Sequence, residues 1–219
     1  MRSFENRADA GRRLAGRLSA YAGRSDVVVL ALPRGGVPVA AAVASRLAAP
    51  LDVFLVRKLG VPGHEELAMG AIAEGGTLVV GQRVVADLGI PPSTLDRVAA
   101  RERHELDRRA AAYRGGRPRP SVNGRIVIII DDGLATGATM EAAVEALRRE
   151  RPARILVAVP VGAAETCARL ARVADDVICL LTPDSFMAVG QWYDDFTQTS
   201  DAEVQALLAA SAPAGGATP

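Results

Sequence analysis

The chain has 219 residues, of which 49% are hydrophobic and 23% charged, with a formal net charge of +1 at pH 7. That length and apolar content suffice for one domain with a full core, which excludes a disordered polypeptide, and the balanced charge excludes general attraction to nucleic acid or anionic membrane. Cys167 and Cys179 are too few and too oddly spaced for a disulfide framework or a CxxC metal site, so a reducing cytosol is the expected compartment.

In chain order, the opening "MRSFENRADAGRRLAGRL" is charged throughout, unlike a secretory leader. Leu14, Leu18 and Tyr21 recur at helical spacing and predict an amphipathic helix. Asp26 to Leu32 is a short unbroken apolar run, the pattern of a buried strand, and stops at the loop "PRGG". Val37 to Ala49 is Ala-rich and predicts a helix; "LDVFLVR", Leu51 to Arg57, predicts a second buried strand. Leu59 to Thr77 mixes glycines with short apolar pieces, and "TLVVG" reads as a strand of a side hairpin. Pro92 to Arg114 predicts a long polar helix, capped by Ser93 and laced by Arg101–Glu105 and Glu105–Arg109 pairs four apart, with His104 on its surface.

After the loop "GGRPRPSVNG", Arg125 to Ile130 is the third buried strand and Thr139 to Glu150 the third helix. Arg154 to Val161, a helix over Ala164 to Ala174, and Asp176 to Leu181 follow. Strands that alternate with helices and read as unbroken apolar runs predict a parallel sheet covered on both faces. No apolar run reaches the length of a membrane span. Ser211 to Pro219 is a low-complexity tail expected to stay disordered.

Ligands in such a sheet bind beyond the carboxyl ends of the strands. Three loops leave those ends: "PRGG", "RKLGVPGHEE" and "DDGLATGAT". In the last, Gly133 and Gly137 permit close backbone approach, and Thr136 and Thr139 offer hydroxyls where a helix begins. Unpaired N–H groups there, with the helix dipole, bind a phosphate. Neither GxxxxGK[ST] nor GxGxxG is present. A generic phosphate cradle does not need Asp131 and Asp132, and carboxylates at the edge of an apolar core are costly unless their charge is used. Beside a phosphate they suit a sugar phosphate, accepting hydrogen bonds from two ribose hydroxyls.

"VIIIDDGLATGAT", Val127 to Thr139, resembles the signature of type I phosphoribosyltransferases: a hydrophobic strand, two acidic residues, then a loop of the A-T-G-x-T kind. The resemblance covers about Asp26 to Leu181, and "LALPRGGVPVA", "VRKLG" and "AVGQWYDDF" are similar to bacterial phosphoribosyltransferases of unassigned substrate. It implies an α/β fold, a three-layer Rossmann-like core with a parallel sheet over about residues 22–181. A small hood would come from residues 1–21, parts of 59–124, and 182–205, all within one domain over residues 1–210. It implies transfer of the 5-phosphoribosyl group from phosphoribosyl pyrophosphate to a nitrogenous base or related acceptor with release of pyrophosphate, Mg²⁺ as cofactor, and a cytoplasmic homodimer.

The roles carry over by position. Asp131 and Asp132 would hold the 2- and 3-hydroxyls of the ribose, and Mg²⁺ directly or through ribose and water. Ala135, Thr136, Gly137, Ala138 and Thr139 would wrap the 5-phosphate. Arg34, Gly35, Gly36, Arg57 and Lys58 would surround the pyrophosphate. The transition state has oxocarbenium character, so Asp131 and Asp132 would favour the positive ring, and Lys58, Arg34 and Mg²⁺ the departing oxygens. All but one of the 26 basic residues are arginine; the lone lysine, Lys58, reflects either coding bias or a need for a compact ammonium.

Ala135 stands where 6-oxopurine enzymes carry an aspartate, which disfavours hypoxanthine or guanine as acceptor. "RKLGVPGHEE" is similar to the mobile loop of the orotate branch with its other lysines missing, so His64 is either part of a loop closing over pyrophosphate or an exposed loop histidine. Phe186, Trp192 and Tyr193, with Phe196, either stack an acceptor base or form an aromatic core anchoring the hood. Two other functions stand beside the enzyme: a regulator that senses phosphoribosyl pyrophosphate or a nucleotide without turnover, and an interaction protein with a decayed site, against which the intact motif argues. The only basic stripe, Arg108 to Pro120, is explained equally by an exposed helix end and a loop, so no nucleic-acid partner is expected.

Overall fold

The computed structural model describes residues 3–211; the expected tail, apart from Ser211, lies outside them. β1 (Val27–Ala31) and β6 (Ile126–Ile130) are buried at every position, as is β7 (Arg154–Val161) beyond its exposed first residue. With β2 (Leu51–Val53) and β8 (Asp176–Leu181) they form one parallel sheet in the order β2-β1-β6-β7-β8.

Side chains alternate across this sheet as its pleat requires. Val27, Val29, Ala31, Ile126, Ile128 and Ile130 face α1 (Arg7–Arg17) and α2 (Gly36–Leu47). Val28, Leu30, Val127, Ile129, Ile155 and Val157 face the other side, against α5 (Ala138–Arg149) and α6 (Ala164–Leu170). The expected α/β architecture with both faces covered is therefore present, and each aliphatic side chain fully removed from water contributes roughly 1.5–3 kcal/mol.

The run "LDVFLVR" is not one strand. β2 ends at Val53, the Phe54 N–H makes a last bond to the Ala31 carbonyl (2.8 Å), and the chain leaves for a second sheet. There β3 (Val56–Val61), β4 (His64–Ala73) and β5 (Leu78–Val80) pair antiparallel in that order. Phe54 and Leu55 are buried in the two cores that flank this switch, so the apolar run continues unbroken through it. Leu59 to Thr77 is accordingly mostly hairpin, with Pro62 and Gly63 between β3 and β4 and Gly63 at φ 81°; "TLVVG" is a hairpin strand as expected.

Other boundaries differ for local reasons. α4 (Pro92–Arg114) starts one residue before Ser93, with Pro91 as its N-cap and Pro92 in its first turn, where a fixed φ is favourable; Ser93 does not cap it. Glu105 pairs with Arg108 and Arg109, whereas Arg101 turns to Glu102. α1 stops at Arg17 and leaves Tyr21 in a single 3₁₀ turn, and α6 stops at Leu170. Two helices lie outside the sequence-based expectations: α3 (Gln82–Asp87) after β5, and α7 (Asp201–Ala210), which packs on α4 and α2. Among the described residues no helix is long and apolar enough to cross a membrane.

The second sheet is tied to the first by a buried ion cluster. Arg114, at the end of α4, donates to Asp52 of β2 (2.8 Å), to the Val53 carbonyl (3.0 Å) and to Glu74 after β4. Arg114 and Asp52 are both buried.

Candidate functional site

β1 and β6 are neighbours in register, Ala31 opposite Ile130, so the loops that follow them leave the sheet side by side. The Leu32 N–H donates to the Ile130 carbonyl (2.9 Å), and the Pro33–Arg34 peptide that follows is cis. The approach then becomes too close for side chains: a Cβ on Gly36 would stand 2.7 Å from the Ile130 carbonyl oxygen, and one on Gly35 would overlap the Asp132 carboxylate. Gly35 of "PRGG" is thus required by the Asp132 carboxylate, and Gly36 by the backbone of Ile130 and Asp131. The Gly36 N–H is already taken by the Leu32 carbonyl (3.1 Å).

The loop from Gly133 to Thr139 is held from behind. Leu134 donates to the Val161 carbonyl (2.9 Å) and accepts from Ala163 (3.0 Å). Thr166 of α6 donates its hydroxyl to the Ala135 carbonyl (2.7 Å), and Arg169 donates to the Thr136 carbonyl. Gly137, at φ 70°, starts α5 in the left-handed region that glycine tolerates. With these carbonyls tied back, the amides at the N-terminus of α5 are left for a pocket of about 160 Å³, lined by Asp131, Gly133 to Met140, and Val189. The first-turn amides and the helix dipole give it the chemistry that suits an anion.

Asp131 lines this pocket on the sheet side, and the carboxylate of Asp132, the next residue, lies against Arg7 and Gly35. Asp131 accepts its neighbour's N–H on Oδ1 (2.8 Å). Burial, and then the adjacent Asp132 charge, push the Asp131 carboxyl well above the usual carboxylate range. Burial also raises Asp132, against the hydrogen bonds and charge of Arg7. Arg7 Nε and Nη2 both lie 2.8 Å from Oδ2 of Asp132, and Nη1 donates to the Thr197 carbonyl (2.7 Å). Its guanidinium lies 3.9 Å from the Phe196 ring centroid.

Arg7 is missing from the candidates that the sequence suggests, although a signal exists: with Ala10, Gly11 and Leu14 it occupies the buried stripe of α1 at i, i+3, i+4 and i+7. A cation on the apolar stripe needs a buried anion as partner.

The remaining candidates fall in several places. Arg34 is partly exposed, 3.6 Å from Asp201 at the start of α7. Arg57 belongs to β3 and not to the parallel sheet; it pairs with Glu102 (2.6 Å) and, with Pro33, Arg109 and Thr139, lines a small cavity of about 30 Å³ between the loops. The structure therefore brings Arg57 beside the first loop, whereas Lys58, the next residue along the strand, is exposed. His64 is exposed at the tip of a paired hairpin.

Trp192 and Tyr193 are buried with Phe4, and Phe186 packs partly buried against them. Tyr193 donates its hydroxyl to the Asp132 carbonyl (2.6 Å), and its ring lies between Phe4 (5.4 Å) and Phe196 (5.0 Å). These aromatics form a small core that seats the segment after β8 on the acid pair. On the far side of Arg7 a pocket of about 390 Å³ is lined by Asn6, Arg7, Pro38, Asp195, Thr197 and Glu203, among others.

Among the described residues no group of three or more His, Cys, Asp or Glu side chains is arranged to hold a metal ion. Asp131 and Asp132 supply the hard oxygen donors that Mg²⁺ takes, but only two of them, and one already bound by Arg7. The set fits a Mg²⁺ that arrives with phosphate oxygens of a ligand.

The family model "Phosphoribosyl transferase domain" matches residues 3–197. Two curated proteins from Mycobacterium tuberculosis strains, one named "Putative phosphoribosyl transferase Rv0571c", are each 51% identical over 208 residues, covering 95% of this chain and 47% of their own length. The chain thus spans about half the length of the curated relatives it matches. The crystal structure of TT1426 from Thermus thermophilus is 46% identical, covers 97% of this chain and 100% of its own, and superposes with a TM-score of 0.86. The AQ2163 protein from Aquifex aeolicus, at 12% identity and a TM-score of 0.51 over 84% of this chain and 78% of its own, shares the fold.

Proposed function

The chain belongs to the phosphoribosyl transferase domain family, and from that premise we propose that it transfers the 5-phosphoribosyl group of phosphoribosyl pyrophosphate to a nitrogenous base or related acceptor, releasing pyrophosphate. The observation that carries this reading is the place of the acid pair between the two loops, Asp132 against Gly35 and Asp131 in the pocket at the amide-lined start of α5. A 5-phosphate on the Ala135–Thr139 amides sets the ribose beside Asp131 and Asp132, with the pyrophosphate toward Arg34 and Arg57.

In the transfer, the acceptor nitrogen bonds to the anomeric carbon as the bond from that carbon to the pyrophosphate oxygen breaks, and the electron pair leaves with pyrophosphate. Asp131 and Asp132 accept the ribose hydroxyls, and their charge favours the positive ring of the transition state. Arg34 and Arg57 favour the leaving group by exchanging Asp201 and Glu102 for phosphate oxygens. The Arg34–Asp201 pair is exposed and contributes at most about 1 kcal/mol, so its exchange is cheap. Glu102 is buried, and when Arg57 turns away it keeps Arg101 as a partner (2.9 Å). Bound Mg²⁺, held by Asp131 and Asp132 with ligand oxygens, would neutralise negative charge on the phosphates.

The test is calorimetric titration with phosphoribosyl pyrophosphate and Mg²⁺, followed by a pyrophosphate-release screen over nucleobases and related nitrogen compounds. Binding with release supports the transferase. Binding without release from any acceptor turns the reading to a regulator that senses the donor, and absence of binding overturns both.

A further inference from the structure

A donor-site role for Asp132 leaves Arg7 without an account. Burying a guanidinium against a carboxylate desolvates both, and an apolar side chain at that turn of α1 would pack at no such cost. The fork is also placed unusually: Nε and Nη2 both go to Oδ2 of Asp132 (2.8 Å each), leaving Oδ1 out of the fork. Three separate segments therefore hold one carboxylate residue. Arg7 grips its Oδ2, the α-carbon of Gly35 packs against its carboxylate, and Tyr193 donates to its backbone carbonyl (2.6 Å). Arg7 further joins Asp132 to the segment after β8 through the Thr197 carbonyl (2.7 Å) and the Phe196 ring.

Resting on the phosphoribosyl reading above, we propose that Arg7 is a positioning residue: it clamps Oδ2 of Asp132 so that Oδ1 is presented to a ribose hydroxyl, and it makes that presentation depend on the seating of the Asp195–Thr197 segment. Arg7 itself touches no reacting atom. Its effect on the donor passes through Asp132, whereas the Ala135–Thr139 amides work without it.

The test compares Arg7→Met, Arg7→Lys, Asp132→Asn and the Arg7→Met/Asp132→Asn double variant by calorimetry with phosphoribosyl pyrophosphate and Mg²⁺, and separately with inorganic phosphate. Arg7→Met is expected to weaken the donor by roughly 10- to 100-fold, the scale of lost charge-assisted hydrogen bonds, and to leave inorganic phosphate unchanged, which a general loss of structure would not. Arg7→Lys is expected to fall between, because an ammonium cannot reproduce the fork. The double variant is expected to bind the donor no more weakly than Asp132→Asn. Wild-type donor affinity in Arg7→Met, or losses that multiply in the double variant, overturn the inference. If Arg7→Met does not fold, Arg7→Lys decides, with wild-type affinity as the overturning result. A wild-type protein that binds no phosphoribosyl pyrophosphate overturns the donor reading itself, and that outcome is distinct from a wild type that binds while its Arg7 variants match it.

Discussion

The α-carbon of Gly35 rests against the carboxylate of Asp132, so closely that an added methyl would overlap Oδ2 and stand 2.7 Å from Cγ. Gly35 itself has φ −60°, a conformation open to any residue, so the requirement is one of space. Gly35→Ala is expected to displace Asp132 from Arg7 and to cost about 1–3 kcal/mol, the usual range for overpacking a close contact. Thermal melting and donor titration check this together; a variant matching the wild type in both would show that the carboxylate has room to move.

Thr166 reaches the Ala135–Thr139 loop from α6 and bonds the Ala135 carbonyl at 2.7 Å while itself buried. Thr166→Val keeps the shape and removes the donor. The expected stability loss is about 1 kcal/mol, with a several-fold weaker affinity for inorganic phosphate because the loop carbonyls lose one of their two ties to α6 and the amides are held less firmly. Unchanged phosphate affinity alongside the lower stability would mean that Arg169 alone sets the loop.

The parts of this fold that are legible in the sequence are those whose physics is local. β1, β6 and β7 lie between two helical layers, so both faces are apolar and each strand reads as an unbroken run. The switch at Phe54 and Leu55 is not legible, because residues buried in either core look alike in sequence. Helix α7 carries a readable start in Ser200 and Glu203, the S-x-x-E spacing, where Ser200 Oγ accepts the Glu203 N–H (3.1 Å); the neighbouring aromatics are the louder signal in that stretch and mask it. In the site, Asp131, Asp132 and the loop after them are marked by an unusual juxtaposition of charge and apolar strand. Arg7 lies 125 residues from Asp132, and only its place on the buried stripe of α1 points inward.

Tyr113 gives a prediction in alkaline solution. Burial, then its hydrogen bond to Asp201 (2.7 Å), push its phenol up to about 12 from 10.0. The folded value lies above the unfolded one, so the neutral phenol is favoured on folding. Its contribution is complete below pH 10 and is lost as pH rises from 10 toward 12, because the unfolded chain ionises first. Wild-type protein is therefore expected to lose stability across that window more steeply than Tyr113→Phe, measured by urea unfolding at about pH 9 and about pH 11. Parallel profiles would show that the α4–α7 contact does not depend on this phenol.

The Arg114 cluster supplies the largest expected effect and a second test by pH. Arg114 is the cation between Asp52 and Glu74, with side-chain exposures of 7% for Arg114 and 8% for Asp52. Arg114→Met keeps volume and apolar packing but leaves two acids facing each other, a loss of roughly 3–5 kcal/mol for an uncompensated buried charge. Burial already raises Asp52 in the intact protein, and Arg114 works against that rise. Without Arg114 the folded value moves further up from the ordinary 3.8, so the protonated acid is favoured on folding. Stability is then retained below the unfolded value and lost as pH rises through the folded one. The deficit of Arg114→Met relative to wild type is accordingly expected to be larger at about pH 8 than at about pH 5, and to shrink when Asp52→Asn removes the charge. Equal deficits at the two pH values would place the damage in lost packing at the end of α4 and not in the stranded carboxylate.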